Sequence, residues 1–332
     1  MNDKEVANAE IRTCGGDSKV NAERTVMAAV PVGLLAVMGL VFLWCCPEWR
    51  PGALGPHWHF WRQLAWNAVG AAALCIPILA GWTRWLKAAP VMAAAWVAAL
   101  AAAQFCPEDG GGWYLFLGPM RLDVLAMLPI VVGMLFAWIA HKRGYRARRM
   151  LVVLGIGCLI VLTARVTADA NRVSRLAAVF GGEPPSKELA ENDSALARAW
   201  AQKMCVEAVD ASHWFSGNKE YLKENPLPGR YTSAMPAAAA LALGKWFLAV
   251  VGALFALFAC CFVRAWLDTK DESRRTFLAG SGLFVFISAI MGVCECLGLT
   301  PMLYTCVPLV SFGGTAVVVL WLIAGTLAAM SI

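Results

Sequence analysis

The chain has 332 residues, of which 60% are hydrophobic and only 15% charged, and its mean hydropathy is +0.62. A soluble domain of this length cannot cover so much apolar surface, so the composition excludes a soluble enzyme and predicts a protein embedded in membrane lipids. The net charge of +6 comes from basic residues that lie between apolar runs, where topology signals occur. It therefore does not indicate a nucleic-acid partner.

Eight apolar runs are predicted to form membrane-spanning helices, each of which needs about 20 apolar residues. In chain order they are Thr25–Cys46, Leu64–Trp82, Val91–Phe105, Leu122–Ala140, Leu151–Thr163, Ala237–Val263, Thr276–Leu297 and Val307–Met330. The polar residues 1–24 contain no clear cleavage site, so we expect a tail and a retained first span, not a removed signal peptide. Residues 25–163 then hold spans one to five, and residues 237–332 hold spans six to eight. We expect an all-α, polytopic transmembrane bundle.

The distribution of basic residues predicts the orientation of this bundle. They are concentrated after spans two, four and six: Arg84 and Lys87; Lys142, Arg143, Arg146, Arg148 and Arg149; Arg264, Lys270, Arg274 and Arg275. The alternate short loops hold few basic residues. Because basic loops stay in the cytoplasm, we expect both termini there.

One long outer segment, residues 164–236, follows from this topology. It contains a predicted amphipathic helix, Ser186–Ala208, in which apolar residues recur at helical spacings. A part rich in glycine, proline and asparagine, Ser216–Arg230, comes next. A long loop beside a membrane bundle usually carries function, although a plain connector is the alternative.

The cysteines and histidines do not indicate a metal or cofactor. The 12 cysteines include no C-x-x-C pair, and most lie in or beside apolar runs, as small packing residues do. His57 and His59 have no cysteine or carboxylate beside them, so we predict no metal site. A single disulfide among Cys106, Cys205 and Cys306 remains open, because all three would lie on the outer side.

The most informative stretch lies near the end of the chain, at residues 298–315. Pro301 and Pro308 break helix on either side of a short turn, and Ser311 places a hydroxyl in an apolar bundle. Gly313 and Gly314 are expected to allow a neighbouring helix to approach closely. A proline and glycine kink without further function is the alternative.

This stretch resembles the carboxy-terminal signature of the SEDS family (FtsW, RodA, SpoVE), G-L-L-P-x-x-G-x-x-L-P-x-x-S-Y-G-G-S/T, with Phe312 at the tyrosine. Three other segments resemble family motifs in the same order. Trp61–Gln63 is similar to F-x-x-R-Q, and Leu115–Gly118 is similar to W-L-x-L-G. Leu227–Ser233, followed by Leu243–Gly244, is similar to the outer motif L-P-E-x-H-T-D and the later E-E-L-G.

The departures from the family pattern are equally specific. The family generally has ten spans, and its P-D-L-G segment has no counterpart here. Its Q-P-S-E-x-x-K motif corresponds to Asp123–Ala126, and the glutamates of E-E-L-G correspond to Leu241 and Ala242. The proposed catalytic aspartate of the family falls on Ser233. The chain therefore resembles a divergent, shortened SEDS protein.

The resemblance implies a protein of the bacterial inner membrane that acts in peptidoglycan synthesis, in cell division or cell-shape maintenance. SEDS proteins polymerise a lipid-linked disaccharide precursor beside a penicillin-binding transpeptidase and other division or elongation proteins. A serine at position 233 cannot act as the general base. Glu295, inside span seven, is a candidate substitute, although an interfacial side chain that reaches water is the alternative. Arg62, Arg121 and Arg230 are candidates for contacting the pyrophosphate.

Two other function classes remain open. A catalytically inactive scaffold could keep the fold and bind a transpeptidase or the lipid precursor. A transporter of lipid precursors or small molecules is the second alternative, although the sequence shows no internal repeat of the kind that many transporters have.

Overall fold

The computed structural model of the chain describes residues 29–46, 57–104, 114–117, 120–142, 194–225, 227–228, 230–300, 307, 309–310 and 313–331. Helices dominate these residues. The helices and strands are α1 (Ala29–Cys45), α2 (Trp58–Lys87), α3 (Ala89–Gln104), β1 (Tyr114–Leu117), β2 (Met120–Asp123), a 3₁₀ turn (Leu125–Met127), α4 (Leu128–Lys142), α5 (Ser194–Ala211), α6 (Lys219–Glu224), α7 (Met235–Leu243), α8 (Lys245–Asp268), α9 (Glu272–Cys296) and α10 (Gly314–Ser331).

The predicted helical membrane bundle is confirmed. Helices α2, α8 and α9 are long and apolar enough to cross a membrane, and α1, α3, α4 and α10 are shorter apolar helices. These seven helices overlap predicted spans one to four and six to eight. The predicted tail, the fifth span and the first part of the predicted outer helix lie outside the described residues.

The sixth predicted span is wrong as one continuous helix. Gly244 interrupts it with φ 101° and ψ 162°, a conformation that glycine adopts without the steric cost of a side chain. The apolar run therefore splits into α7 and α8. Helix α7 is too short to cross a membrane, and nearly all of its residues are buried inside the protein.

Two other predicted span boundaries differ from the structure. The predicted fourth span begins at Leu122, but the chain first forms an antiparallel ribbon in which β1 pairs with β2, and α4 begins only at Leu128. The motif segment Leu115–Leu117 lies in that ribbon. The predicted eighth span begins at Val307, but α10 starts at Gly314. Hydropathy does not separate these apolar non-helical segments from the helices that follow them.

Small residues allow two pairs of helices to pack closely. Helices α2 and α10 make the most extensive contact in the described bundle, and α4 packs along α9. A side chain at Gly70 in α2 would overlap the indole of Trp321 in α10. In the second pair, Gly133 faces Phe277, and the position of a Cβ at Gly280 lies 3.4 Å from the Cα of Gly133. Close approach of this kind is typical of helices in membranes, where dispersion contacts hold them together.

The bundle has two chemically different ends. At one end, the indole N–H of Trp85 donates to the hydroxyl of Thr326 at 3.0 Å, and the guanidinium of Arg274 donates to the carbonyl of Met330. This end gathers the last turns of α2 and α10 with the basic α8–α9 turn. The other end carries α5 and α7, which pack on α9, and α6, which packs on α5 and α7.

Candidate functional site

Ser233 lies in the turn that precedes α7, and its side chain is buried. Only 2% of the residue is exposed, and its carbonyl accepts a hydrogen bond of 3.4 Å from the thiol of Cys296. Upstream in the same motif, Leu227 is also buried. The position that corresponds to the family's aspartate is therefore inside the protein in this conformation.

Glu295 lies in the last turn of α9 and is fully buried. The alternative interpretation of Glu295, an interfacial side chain that reaches water, is therefore wrong. Helix α5 covers this turn, because the side-chain amide of Gln202 donates to the carbonyls of Glu295 at 3.3 Å and of Thr300 at 2.6 Å. The structure thus brings Glu295 and Ser233 to one junction of α5, α7 and α9, and it exposes neither.

The positions of the family's E-E-L-G glutamates are also apolar and buried. Leu241 is 0% exposed and Ala242 is 4% exposed. The segment after α5 binds this part of α7 through its backbone, since the N–H of Asn218 donates to the carbonyl of Leu241 at 2.6 Å. A side chain at Gly217 would overlap the carbonyl of Ala242. Backbone contacts therefore occupy the surface where the family motif has carboxylates.

Two of the three predicted arginines lie at this end of the bundle. The guanidinium of Arg230 lies 4.7 Å from the ring centre of Tyr231, and that ring lies 4.3 Å from the imidazole of His59 on α2. Arg62 follows His59 by three residues, which places the two on one helical face. Lys219 begins α6, which packs on α7 at the same end of the bundle. We call Arg62, Lys219 and Arg230 the cation cluster.

The sequence analysis did not single out Lys219 as a member of this cluster. The third predicted arginine, Arg121, lies on β2. The backbone of Arg121 pairs with Phe116 in the ribbon, and its side chain is not among the described ones. The asparagine N-cap of α6 explains how Lys219 is positioned. The side chain of Asn218 accepts from the N–H of Tyr221 at 3.2 Å and starts the helix at Lys219.

The carboxy-terminal signature connects two other motifs of the chain. A side chain at Gly314 would overlap the indole of Trp66 in α2, close to the Trp61–Gln63 motif. The hydroxyl of Thr315 accepts from the backbone N–H of Asp123 at 3.0 Å, at the start of the segment that corresponds to Q-P-S-E-x-x-K. The signature is therefore a packing centre. Pro301, Pro308 and Ser311 lie outside the described residues.

Gly313 does not make the predicted close approach to the residues that the structure describes. Among them, a Cβ there would meet only Ala316, at an ordinary 3.8 Å, whereas Gly314 is tightly packed. Polar groups that the sequence analysis did not single out add to the α2–α10 interface. The indole N–H of Trp321 donates to Asn67 at 3.2 Å, and the amide of Asn67 donates to the carbonyl of Gln63 at 3.0 Å.

The chemistry available at this end of the bundle follows from these contacts. The cation cluster offers positive charge to an anion such as a pyrophosphate. The two side chains considered as the base or its replacement, Ser233 and Glu295, are buried at the junction of α5, α7 and α9. Within the described residues, no group of three or more histidine, cysteine or acidic side chains could hold a metal ion.

Solved structures of other proteins share this architecture. The rod shape determining protein RodA of Thermus thermophilus superposes with a TM-score of 0.63 at 17% sequence identity, and the match covers 92% of this chain and 96% of that one. A mutant of the same RodA gives a TM-score of 0.64 at 17% identity over the same shares. The chain has the fold of RodA.

A third solved structure extends this comparison. A chain from a peptidoglycan synthase complex, studied for the coordination of polymerization and crosslinking, matches with a TM-score of 0.64 at 15% identity, covering 92% of this chain and 96% of that one. No protein-family model and no curated protein sequence matches the chain. RodA is a member of the family whose motifs the sequence resembles, so the fold implied by that resemblance is confirmed.

Proposed function

We propose that this chain is a divergent SEDS protein of bacterial peptidoglycan synthesis, acting in cell division or cell-shape maintenance without polymerase activity of its own. It would bind the lipid-linked disaccharide precursor, a penicillin-binding transpeptidase, or both. The RodA fold and the ordered SEDS motifs support the process. The loss of activity is inferred from the burial of Ser233 and Glu295, because a general base has to contact the substrate.

The chemistry of the site supports precursor binding without catalysis. Glycosyl transfer needs a base that reaches the acceptor hydroxyl, and a serine hydroxyl has no low-pKa form that accepts a proton near neutral pH. Stabilising the pyrophosphate needs only cations, and the cation cluster provides them. The site thus retains groups for holding the precursor, whereas neither position considered for the base, Ser233 or Glu295, is accessible for activating the acceptor.

An apolar groove beside Ser233 suits the lipid part of such a precursor. The groove has a volume of about 440 Å³ and lies between α7, α8 and α9. Met235 and Pro236, which follow Ser233 closely in the chain, form one end of it, and Phe255 and Phe286 line its wall. A hydrocarbon chain in this groove would place its head group near the turn that holds Ser233.

The matched peptidoglycan synthase complex coordinates polymerization and crosslinking, and this supports a transpeptidase as partner of the present chain.

Two aromatic side chains, Trp214 and Phe215, lie on the segment between α5 and α6 and are 63% and 87% exposed. Aromatic side chains of this kind are common where a membrane protein meets the lipid surface. They give this end of the bundle an apolar surface next to the cation cluster.

The test is a polymerisation assay with purified protein and lipid-linked disaccharide precursor, with and without a penicillin-binding transpeptidase from the same bacterium. We expect the wild type to form no polymer, because losing a general base costs about 10²–10⁴ in rate. Ser233→Asp is compared with Thr232→Asp, which places the same carboxylate one residue away. Polymer formed only by Ser233→Asp would show that the rest of a catalytic site survives.

Two results would contradict this proposal. Robust wild-type polymerisation that disappears in Glu295→Gln would make Glu295 the base. Transport of the precursor across vesicles without any binding to the transpeptidase would favour the transporter alternative. Saturable binding of the precursor together with no polymer would support the proposed binding role.

A further inference from the structure

Two buried cysteines from distant parts of the sequence meet beneath Ser233. Cys205 lies in α5 and Cys296 is the last residue of α9, and both are 0% exposed. The two side chains interact with each other where α5 packs on α9. The thiol of Cys296 in turn donates to the carbonyl of Ser233 at 3.4 Å.

The surrounding contacts hold Cys205 and Cys296 next to each other. One turn before Cys205, the amide of Gln202 donates to the carbonyl of Glu295, the residue before Cys296. On the other side, Val206 lies 3.1 Å from the position of a Cβ at Gly298. Residues before and after both cysteines are therefore in contact, so the two sulfur atoms cannot move far apart while α5 stays docked.

We propose that Cys205 and Cys296 form a disulfide that ties α5 to the end of α9. The two side chains already interact where α5 packs on α9, and a disulfide would bring their sulfur atoms to a bonding distance of about 2.0 Å. Two thiols become one disulfide and give up two electrons and two protons. The acceptor is an external protein disulfide, which is reduced to two thiols by exchange through a mixed disulfide.

The predicted topology places this pair on the oxidising side of the membrane. Helix α5 belongs to the predicted outer segment, and disulfides form and persist outside the cytoplasm of bacteria. Both thiols are fully buried, so an external oxidant does not reach the folded, reduced pair. Oxidation is therefore expected before α5 docks on α9, while both thiols still reach the oxidant.

The disulfide would change the junction at Ser233. A disulfide sulfur has no proton to donate, so the hydrogen bond from Cys296 to the carbonyl of Ser233 would be lost. At the same time α5 would become covalently bound to the helix end that carries Glu295. The bond would therefore hold α5 over Ser233 and Glu295 and would keep the junction of α5, α7 and α9 closed.

The test uses full-length chains expressed in cells and precipitated with acid, so that thiols and disulfides are preserved. One chain retains only Cys205 and Cys296, and a control chain retains only Cys205 and Cys294. Cys294 is two residues from Cys296 but lines the apolar groove on another face of α9. A polymer-linked maleimide should modify the first chain only after reduction and the control chain without reduction. Complete modification of the first chain without reduction would overturn the proposal.

A second measurement covers the case in which removing the other cysteines prevents folding. Wild-type protein purified without reductant should lose several degrees of thermal stability when it is reduced. The double variant Cys205→Ser/Cys296→Ser should show no change on reduction. An equal loss in the double variant would place the sensitive bond elsewhere, for example at Cys106 or Cys306, and would contradict the assignment.

Discussion

At the scale of single residues, Ser233 shows how the environment of a side chain limits its chemistry. Its residue type already removes the carboxylate that a glycosyl transferase would use as a base. Its burial adds a second obstacle, because substrate cannot reach it while α5 and α9 cover the turn. An ionised aspartate at this position would also have to be buried, which costs free energy unless it is paired. Renewed activity in Ser233→Asp would thus require the junction to open.

Arg230 is the member of the cation cluster whose substitution tests precursor binding. We expect Arg230→Ala to weaken binding of the lipid-linked precursor about tenfold, since a hydrogen bond to a charged group contributes about 1.5–3 kcal/mol and this side chain is only partly buried. The measurement is a binding titration with precursor in detergent micelles. Lys223→Ala is the matched control, because Lys223 is an exposed cation at the other end of the short helix that Lys219 begins.

The two variants together decide whether the cation cluster binds the pyrophosphate. Equal affinities for Arg230→Ala and Lys223→Ala would show that the cation cluster contributes no more to binding than an exposed cation outside it. The same titration with a precursor that lacks the pyrophosphate should remove the difference between them. A difference that persists would mean that Arg230 acts through its packing on Tyr231.

Asp271 gives a residue-scale prediction at the opposite end of the bundle. It is the N-cap of α9, and its carboxylate accepts from the backbone N–H of Ser273 at 2.7 Å, from its hydroxyl at 2.6 Å and from the N–H of Arg274 at 3.3 Å. Asp271→Ala should lower the free energy of unfolding by about 1 kcal/mol through loss of the cap. Asp271→Asn should keep most of this stability, because its side-chain oxygen can still cap the helix.

The same residue predicts a pH dependence. Partial burial raises the pKa of Asp271, but the hydrogen bonds from Ser273 and Arg274 and the charge of Arg274 outweigh it, and the pKa is lowered. The stabilisation is therefore fully present above the usual pKa of an aspartate and is lost as the pH falls through the lowered value. Thermal unfolding in detergent from neutral to acidic pH should show a steeper decline for wild type than for Asp271→Asn. Parallel profiles would exclude this contribution.

Residue roles were predictable where they depend on residue type and not where they depend on distant partners. The absence of a carboxylate at position 233 follows from the sequence alone. The burial of Glu295 does not, because the helix that covers it lies about 90 residues earlier in the chain and binds through Gln202. An intramembrane glutamate has the same sequence pattern whether it faces water or a neighbouring helix.

At the scale of helices and motifs, Gly314 and Gly313 provide a matched pair of variants. We expect Gly314→Ala to destabilise the bundle by about 1–3 kcal/mol, since the new methyl group would overlap the indole of Trp66. Gly313→Ala should have a smaller effect, because among the described residues a Cβ there would meet only Ala316, at 3.8 Å. Thermal unfolding of the two variants in the same detergent measures the difference. Equal loss in both would mean that glycine flexibility, and not the contact with Trp66, is required.

The glycine pair also shows why the signature could be predicted only in part. The sequence shows that small residues occur together, which predicts close packing of helices. It does not show which of two adjacent glycines faces the partner, because that depends on where α10 begins and how it is rotated against α2. The structure resolves this through the contacts of Gly70 and Gly314 with tryptophans on the opposite helices.

The division of the sixth span has a similar explanation. Gly244 lies inside an apolar run, and an 18-residue hydropathy average does not distinguish a helix break from a helix interior. The break is stabilised by partners from the segment after α5, since the N–H groups of Lys245 and Trp246 donate to the carbonyls of His213 and Trp214 at 2.9 and 3.0 Å. These contacts are distant in sequence, so local pattern could not predict them.

At the scale of the whole molecule, the fold class was predictable because lipid imposes strong constraints on composition. Apolar runs in a polytopic protein must form helices, as no water is present to satisfy the backbone. The family resemblance depended on a few short motifs, which survive although identity with the matched structures is only 15–17%. In three dimensions, one packing centre brings together the carboxy-terminal signature, the Trp61–Gln63 motif and Asp123. The sequence alone does not show that these segments meet.

The orientation of the bundle in the membrane is the last prediction. The basic loops predict that the α8–α9 turn is cytoplasmic and that the segment between α5 and α6 is outside. The structure supports this separation, because Arg274 contacts the end of α10 while the segment that includes Ser216 packs on α7 at the opposite end. Ser216 and Lys270 are both exposed and lie on the two opposite ends, which makes them matched positions for labelling.

We expect Ser216→Cys to react with a membrane-impermeant maleimide in intact spheroplasts and Lys270→Cys to react only after lysis. Wild-type protein measured in parallel gives the background from native cysteines. Of those that the structure describes, the exposed ones, Cys75 and Cys260, lie within apolar helices. Labelling of Lys270→Cys in intact cells with protection of Ser216→Cys would reverse the topology. It would also place Cys205 and Cys296 on the reducing side of the membrane, where the proposed disulfide would not persist. The labelling experiment therefore tests the orientation and the compartment on which the disulfide depends, independently of any enzymatic activity.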